Sequence, residues 1–311
     1  MCFKRFFKSY SVCDCFWEHL NKSCLEHKLT FLVGNGLNKY IYDGNLSWND
    51  LIERIAEKCS FEISSYEHLL PTEQYSALVY SLKEEIVKKC LIEEYNKSIP
   101  DNILKSFKEF SGIFEKYGVP VITTNIDSYL HLDYHPFDIP LSKNIYEKNP
   151  LLAHSSMWSF NHYFAPKEIN DSVKDFAIWH LHGHISHEES LRFGLIDYIK
   201  LMSRIYGSFF TVSNSPHEKG RSWLEPILRN DLCILGLGLS YAEVGIRYLL
   251  MRRAQMLKCN STDNKCWYLY VSADDSTIQF CKSIGITTVK FPSYSTLYDS
   301  LKINALFHLE S

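Results

Sequence analysis

Two short polar motifs, each directly after an apolar run, constrain the fold of this chain most. TTNID at Thr123–Asp127 follows the apolar residues VPVI, and HLHGH at His180–His184 follows FAIW. In an α/β sheet, side chains just past the carboxyl ends of parallel strands face the ligand crevice. An amide, a carboxylate and an imidazole that meet in one crevice suit glycosidic chemistry on a bound nucleotide. The pattern therefore predicts an α/β enzyme.

The alternation of apolar runs and helical patterns predicts a mostly parallel sheet with helices on both faces. Helical periodicity continues from about Pro71 to Lys116, including one helix over Glu73–Tyr95. Residues 131–175 show no sustained period, which predicts a long ordered loop or insertion. The predicted strands are Leu29–Val33, Val119–Thr123, Ala177–Leu181, Leu232–Leu235, Cys266–Ser272 and Ile286–Phe291.

The domain organisation predicted from these patterns is simple. Residues 1–28 form an N-terminal helical extension, and residues 29–311 form one main domain with a helical insertion at about 55–118. A chain of 311 residues is long enough for one large α/β domain with an insertion. Ser47, with Asp50 three residues later, predicts the start of a helix by a capping box.

Composition argues against several classes of partner. The chain is 46% hydrophobic and 22% charged, which is typical of soluble globular proteins. A net charge of −3 gives no global basic field for nucleic acid. No apolar run approaches the ~18 residues that cross a bilayer, and the N-terminus lacks an apolar signal core. We expect a cytoplasmic protein that binds neither nucleic acid nor membrane directly.

The ten cysteines do not have the spacing of a zinc ribbon. There is no CxxC pair, and a ribbon requires two close pairs of thiolates. In a reducing compartment most of these thiols are expected to be free and buried. An unusual metal site made by Cys13, Cys15 and Cys24 remains an alternative.

Two glycine-containing turns follow predicted strands. Gly34 and Gly36, in GNGLN, allow a tight turn and close approach of the backbone to a phosphate, although an ordinary turn fits them equally well. A second turn, with Gly236, Gly238 and Ser240, follows another strand. Two such turns on different strands are what a dinucleotide requires when its halves lie across the switch point of a sheet.

The TTNID motif has two interpretations. Asn125 is a candidate for orienting a ribose or a water, and Asp127 is a candidate for holding a polar group of the leaving base. Both roles need short polar side chains fixed by strand geometry. The alternative is that these residues only cap the next helix.

The HLHGH motif has three interpretations. Strand alternation would place His180, His182 and His184 on one face, where they could form a metal site. His182, followed by Gly183 that leaves space for a ligand, suits a general base near neutral pH. A buried structural histidine is the third possibility.

Taken together, the motifs of this chain resemble those of the sirtuin-like family of NAD-consuming α/β proteins, which has a Rossmann-like fold. The resemblance extends over roughly residues 29–292. The matching motifs, in the family's order, are GNGLN at Gly34–Asn38, TTNID at Thr123–Asp127, LHG at Leu181–Gly183 and GLGLS at Gly236–Ser240.

The resemblance implies a role for each motif. In that family the first glycine loop binds the NAD phosphates, which here would involve Gly34 and Gly36. Asn125 would contact the nicotinamide ribose, Asp127 the nicotinamide, and His182 would be the catalytic base. The residues beside the adenosine half of NAD would be Gly236, Gly238 and Ser240.

Some residues depart from the family's usual pattern. Asn35, Asn38 and Thr124 replace the usual Ala, Ser and Gln, and we expect them among the NAD-binding residues. Sirtuin deacylases usually carry a four-cysteine zinc ribbon, yet the interval 181–232 contains no cysteine. The resemblance therefore implies a fold without a zinc ribbon, and no metal is expected.

The TTN-type motif and the helical block resemble the bacterial antiphage-defence branch, whose members hydrolyse NAD to nicotinamide and ADP-ribose. Compact members resemble proteins that pair with a HerA-like DNA-translocating ATPase. The resemblance implies an NAD hydrolase that is a homo-oligomer and is gated by such a partner. The alternatives are an NAD-dependent protein deacylase and a non-catalytic sensor or assembly subunit that binds NAD or ADP-ribose.

Overall fold

The structure is a computed structural model that describes residues 14–95, 97–138, 162–203 and 222–307. One eight-stranded sheet forms the centre of the described residues. Its strands are β1 (Leu29–Val33), β2 (Val121–Thr123), β3 (His135–Asp138), β4 (His162–Ala165), β5 (Ile178–His180), β6 (Asp231–Leu235), β7 (Cys266–Tyr270) and β8 (Thr287–Lys290). Their spatial order is β3-β4-β5-β2-β1-β6-β7-β8.

The sheet is parallel except at one edge. Strands β5, β2, β1, β6, β7 and β8 pair in parallel, whereas β3 and β4 are antiparallel. In β1, Leu32 is in register with Ile122 on one side and Ile234 on the other. The predicted α/β, Rossmann-like fold with a mostly parallel sheet is confirmed.

Helices cover both faces of this sheet and also form a separate block beside it. They are α1 (Asp14–Leu25), α2 (Asn35–Ile41), α3 (Trp48–Lys58), α4 (Pro71–Leu82), α5 (Glu84–Tyr95), α6 (Asp101–Tyr117), α7 (Leu224–Arg229), α8 (Val244–Asn260), α9 (Asp275–Ser283) and α10 (Tyr294–Phe307). In the described ranges none of them has the length and apolarity that a bilayer span requires.

Strand β1 shows why the central strands are apolar without alternation. All five of its residues are buried. Phe31 packs in a core with α1, α6 and α10, while Leu32 packs in the opposite core with α7, α8 and α9. Because both faces of the strand are covered, every position is an interior position.

A third apolar core lies in a helical block beside the sheet, which coincides only in part with the predicted insertion at about 55–118. Helices α3, α4 and α5 pack around it together with Ile126, Leu191 and Phe193, which lie close to the two polar motifs. The predicted capping box is confirmed: the Asp50 N–H donates to Ser47 Oγ over 3.1 Å, and the Ser47 N–H donates to Asp50 Oδ2 over 2.7 Å. The block is therefore anchored beside the carboxyl edge of the sheet.

Two predictions of secondary structure were wrong in detail. The helix over 73–95 is two helices, because Lys83 adopts φ 76° between them. The predicted loop 131–175 contains the antiparallel strands β3 and β4. Strand β3 has the sequence HPFD and is largely exposed, so neither propensity nor alternation indicated it. Residues 139–161, and residues 1–13 of the predicted extension, lie outside the described residues.

Candidate active site

A cavity of about 580 Å³ lies where four neighbouring parallel strands end. It is lined by Asn35 after β1, residues 124–127 after β2, His182 after β5 and residues 240–243 after β6. Strands β2 and β6 lie on opposite sides of β1, so this is the switch point of the sheet, where ligands bind in open α/β folds. The volume is in the usual range for small-molecule sites.

Asn38 joins the two polar residues of TTNID in a buried hydrogen-bond chain. The Asn125 Nδ2 donates to Asn38 Oδ1 over 3.0 Å, and the Asn38 Nδ2 donates to Asp127 Oδ2 over 2.8 Å. Asn125 and Asp127 line the cavity, whereas Asn38 is fully buried behind them. The geometry thus gives Asn38 a role in positioning both side chains.

Three hydrogen bonds hold the backbone of the TTNID loop, two of them from neighbouring strands. The Thr124 N–H donates to Val33 O over 3.0 Å, and the Asn125 N–H donates to Thr123 Oγ1 over 3.0 Å. The His180 Nδ1 donates to the Asn125 carbonyl oxygen over 2.7 Å. Because the neighbouring strands β1 and β5 both contribute, the position of Asn125 is fixed by the sheet.

Asp127 combines a local and a cavity-facing role. Its Oδ1 accepts from the Tyr129 N–H over 3.1 Å, which forms an Asx turn; the N-cap of the following helical turn is Ser128, so Asp127 is not the helix cap of the alternative interpretation. Burial raises the pKa of Asp127 to about 7, even though this N–H and the Asn38 amide favour the ionised form. Near neutral pH the carboxyl group is therefore present in both forms. The protonated form donates a hydrogen bond to a bound amide oxygen, and the ionised form accepts one from a bound amide N–H.

His182 lines the cavity and is itself buried. Its Nε2 lies 3.4 Å from the Tyr198 hydroxyl, and among the described residues its buried Nδ1 has no hydrogen-bond partner. Burial lowers the pKa of His182 to about 4. The ring is therefore uncharged at neutral pH and has a free lone pair, but before a ligand binds it is a weaker base than the general base near neutral pH that the sequence predicts.

The three histidines of HLHGH do not share one face, contrary to the prediction. Strand β5 ends at His180, and Gly183 adopts φ 86°. This turn separates His182, in the cavity, from His180 and His184, whose rings lie 4.8 Å apart.

The role of Gly183 also differs from the predicted one, which was to leave space for a ligand. A Cβ atom there would lie 2.2 Å from the Ser190 carbonyl oxygen. The residue makes room for the Ser190 backbone and not for a ligand.

The two glycine turns pack against each other. A Cβ atom on Gly34 would lie 2.5 Å from Gly236 O, and one on Gly36 would lie 2.8 Å from Gly236 Cα. The Gly36 N–H donates to Gly236 O over 2.8 Å. These glycines bring the loops after β1 and β6 into contact, and it is Asn35 and Ser240 that reach the cavity wall. Gly238 has open space around its Cα.

Several lining residues were not predicted from the sequence. Trp48 stacks on Phe193, with 4.8 Å between the ring centroids, and Tyr95 and Tyr198 add further aromatic surface. Glu243 is half-buried in the lining, and burial raises its pKa. These residues belong to no sequence motif. They come together only in the folded chain, from helices α3 and α5 and from the segments around 193–198 and 240–243.

Cys24 gives no support to a cysteine metal site. Its buried thiol donates to the Tyr117 carbonyl oxygen over 3.0 Å, and burial raises its pKa to about 12, so it is not a thiolate. Cys13 lies outside the described residues. Further cysteines that are free and buried, as predicted, are Cys233, Cys266 and Cys281.

Comparison with known proteins supports the resemblance seen in the motifs. The model of the SIR2-like domain matches residues 119–289, a stretch that contains TTNID, LHG and GLGLS. No curated protein matches the chain. Because the matched stretch is more than half of the 311 residues, the chain belongs to the SIR2-like family, whose members are generally NAD-dependent enzymes.

Proposed function

We propose that this protein hydrolyses NAD at the bond between nicotinamide and ribose, releasing nicotinamide and ADP-ribose. One observation carries the proposal: Asn125, Asp127 and His182 line a single cavity at the switch point of the sheet. An amide, a carboxyl group and an uncharged imidazole are the groups needed to hold a glycosidic bond and to take up a proton during its cleavage.

Polar atoms without partners support NAD as the ligand of this cavity. Thr72 Oγ1 and His182 Nδ1 are buried and have no hydrogen-bond partner among the described residues. Leaving buried polar atoms unpaired costs free energy, so both sites favour a ligand with hydroxyl or amide groups. The aromatic rings of Trp48 and Tyr95 in the same lining provide surface for a base.

Each polar residue has a distinct task in this proposal. Asp127 holds the carboxamide of nicotinamide, and Asn125 holds the ribose or the attacking water, so that orientation is fixed before the reaction. His182 accepts a proton from a ribose hydroxyl or from water. Cleavage of glycosidic bonds proceeds through an oxocarbenium-like transition state, which rewards this fixed arrangement.

The proposed biological role follows from the resemblance to the antiphage-defence branch. Depletion of NAD would stop the growth of an infected cell. Because constant activity would also kill an uninfected host, the activity has to be gated. We infer a homo-oligomer that assembles with a HerA-like DNA-translocating ATPase. A deacylase is less well supported, because the interval 181–232 lacks the cysteines of the zinc ribbon that helps to form the acyl-lysine cleft.

The test compares NAD cleavage by the wild type with two variants. Asn125→Ala and His182→Ala should each lower the rate of nicotinamide release by about 10²–10⁴-fold, the usual cost of removing an orienting or general-base group. The exposed residues Asn260 and His19 provide matched controls as Asn260→Ala and His19→Ala. Assays are run with and without the ATPase. Equal rates in folded wild type and His182→Ala would remove this residue from the mechanism.

A further inference from the structure

We propose that His131, His180 and His184 bind a divalent transition metal ion of the zinc class. One ring nitrogen of each lies within 4.8 Å of the others, and all three side chains are buried. His131 ends the short helical turn after TTNID, His180 ends β5, and His184 lies in the following loop. The proposed ion would thus join two segments that also carry the residues of the NAD site.

The spacing of the nitrogens suits a tetrahedral ion. With Zn–N bonds of about 2.0–2.1 Å, tetrahedral ligand nitrogens lie about 3.3 Å apart. His131 Nε2 and His184 Nε2 are 2.9 Å apart, and 4.8 Å is the limit for the whole set. Ligation would bring the farthest pair of nitrogens closer by up to about 1.5 Å.

His180 has the hydrogen-bonding pattern of a metal ligand. A carbonyl oxygen only accepts, so the contact with Asn125 O fixes the ring proton of His180 on Nδ1. The lone pair is then on Nε2, which is buried without a hydrogen-bond partner among the described residues. Metal-binding histidines commonly donate their second ring nitrogen to a backbone carbonyl in this way. An ion would satisfy the unpaired Nε2.

Two serine hydroxyls lie within hydrogen-bond distance of the His184 ring. Ser186 Oγ lies 2.6 Å from His184 Nδ1, and Ser128 Oγ lies 3.1 Å from His184 Nε2. In the metal-free tautomer Nδ1 accepts from the Ser186 N–H over 3.2 Å. Ligation through Nε2 moves the ring proton to Nδ1, where Ser186 Oγ accepts it and the Ser186 N–H loses its acceptor. The Ser128 hydroxyl, or a water molecule, would then supply the fourth ligand.

The position of the ion gives it a consequence for the proposed NAD site. His180 contacts the backbone of Asn125, and His182 lies between two of the ligands in the chain. The ion would therefore hold both the amide and the imidazole in place. This consequence rests on the proposed function, whereas the metal site itself does not.

The test measures metal without reference to NAD. Protein with a histidine-free affinity tag is purified without chelators and analysed by mass spectrometry of elements, before and after dialysis against Zn²⁺. About one zinc per chain is expected in the wild type and in the control His182→Ala, a buried histidine of the same segment. His131→Ala and His180→Ala should lose the zinc.

Two measurements on the wild type keep the test independent of variants that fail to fold. Zn²⁺ should raise the midpoint of thermal unfolding of chelator-treated protein, because an ion that binds only the folded state stabilises it. Co²⁺ should give the visible spectrum of a tetrahedral site. Absence of both effects, or equal zinc in wild type and folded His131→Ala, would overturn the proposal. Zinc binding without NAD cleavage would refute only the proposed function.

Discussion

The His180 imidazole donates from Nδ1 to the backbone carbonyl of Asn125 over 2.7 Å. This contact connects the end of β5 to the loop that follows β2, two strands that are in parallel register. It explains how two motifs that are 53 residues apart in the chain form one side of a cavity. The following predictions test the parts of that arrangement separately.

Asn38 is expected to act by positioning. Asn38→Ala removes the bridge between Asn125 and Asp127 and leaves both polar groups partly unsatisfied. The free energy of unfolding should fall by about 1–3 kcal/mol, and misplacement of the two side chains should lower kcat for NAD cleavage by about 10²-fold. Steady-state kinetics and urea denaturation measure the two effects. Unchanged kcat, relative to the exposed control Asn260→Ala, would show that the bridge is only structural.

Asp127 should make stability depend on pH. Its pKa is about 7 in the folded protein, above the ordinary value near 3.8, so the folded state binds the extra proton between these pH values. Stability from this group is complete below about pH 4 and is lost as pH rises to about 7, at about 1.4 kcal/mol per pH unit. Asp127→Asn should lack this dependence. Urea denaturation at several pH values measures the difference, and parallel curves for the two proteins would contradict it.

Gly183 should tolerate no side chain. Gly183→Ala places a Cβ 2.2 Å from the Ser190 carbonyl oxygen in a backbone with φ 86°, so we expect a loss of at least about 2 kcal/mol of stability. The control is Gly112→Ala in α6, where nothing lies within 4 Å of the added atom. That change should stabilise the helix by about 0.5–1 kcal/mol. Similar unfolding midpoints for the two variants would be inconsistent with the structure.

Glu94 should be the main ionic contact of the helical block. Its side chain is 2% exposed and lies 2.9 Å from Lys58 and 3.5 Å from Arg54, which joins α5 to α3. Glu94→Gln should destabilise the protein by about 1–3 kcal/mol, because the buried Glu94 side chain loses its charge-assisted contacts with Lys58 and Arg54. Glu93, which is 51% exposed and contacts the same Lys58, is the matched control. Glu93→Gln should change stability by less than about 1 kcal/mol. Thermal unfolding of both variants checks the contrast.

The fold was predictable where burial leaves a simple pattern. Strands such as β1 and β6 are covered on both faces, so they appear in the sequence as short continuous apolar runs. The antiparallel edge was not predictable, because β3 is exposed and contains a proline, and its partner β4 begins with a histidine. Lys83 divides α4 from α5 through a backbone angle that its residue type does not indicate.

The candidate site was predictable only in its motifs. Asn125, Asp127 and His182 were indicated because polar residues directly after buried strands are unusual and have a fixed position in the sheet. Trp48 and Tyr95 were not indicated by the sequence, because only the packing of the helical block brings them to the cavity. The contact of His131 with His184 was also not predictable, because these residues lie in separate segments and no sequence pattern links them.

The most direct test of the central claim is to quantify both products of NAD in one reaction. Purified protein, alone and together with the proposed HerA-like ATPase, is incubated with NAD in the absence of any peptide. Hydrolysis predicts nicotinamide and ADP-ribose in equal amounts. Intact NAD under both conditions, or nicotinamide release only after addition of an acyl-lysine peptide, would contradict the account.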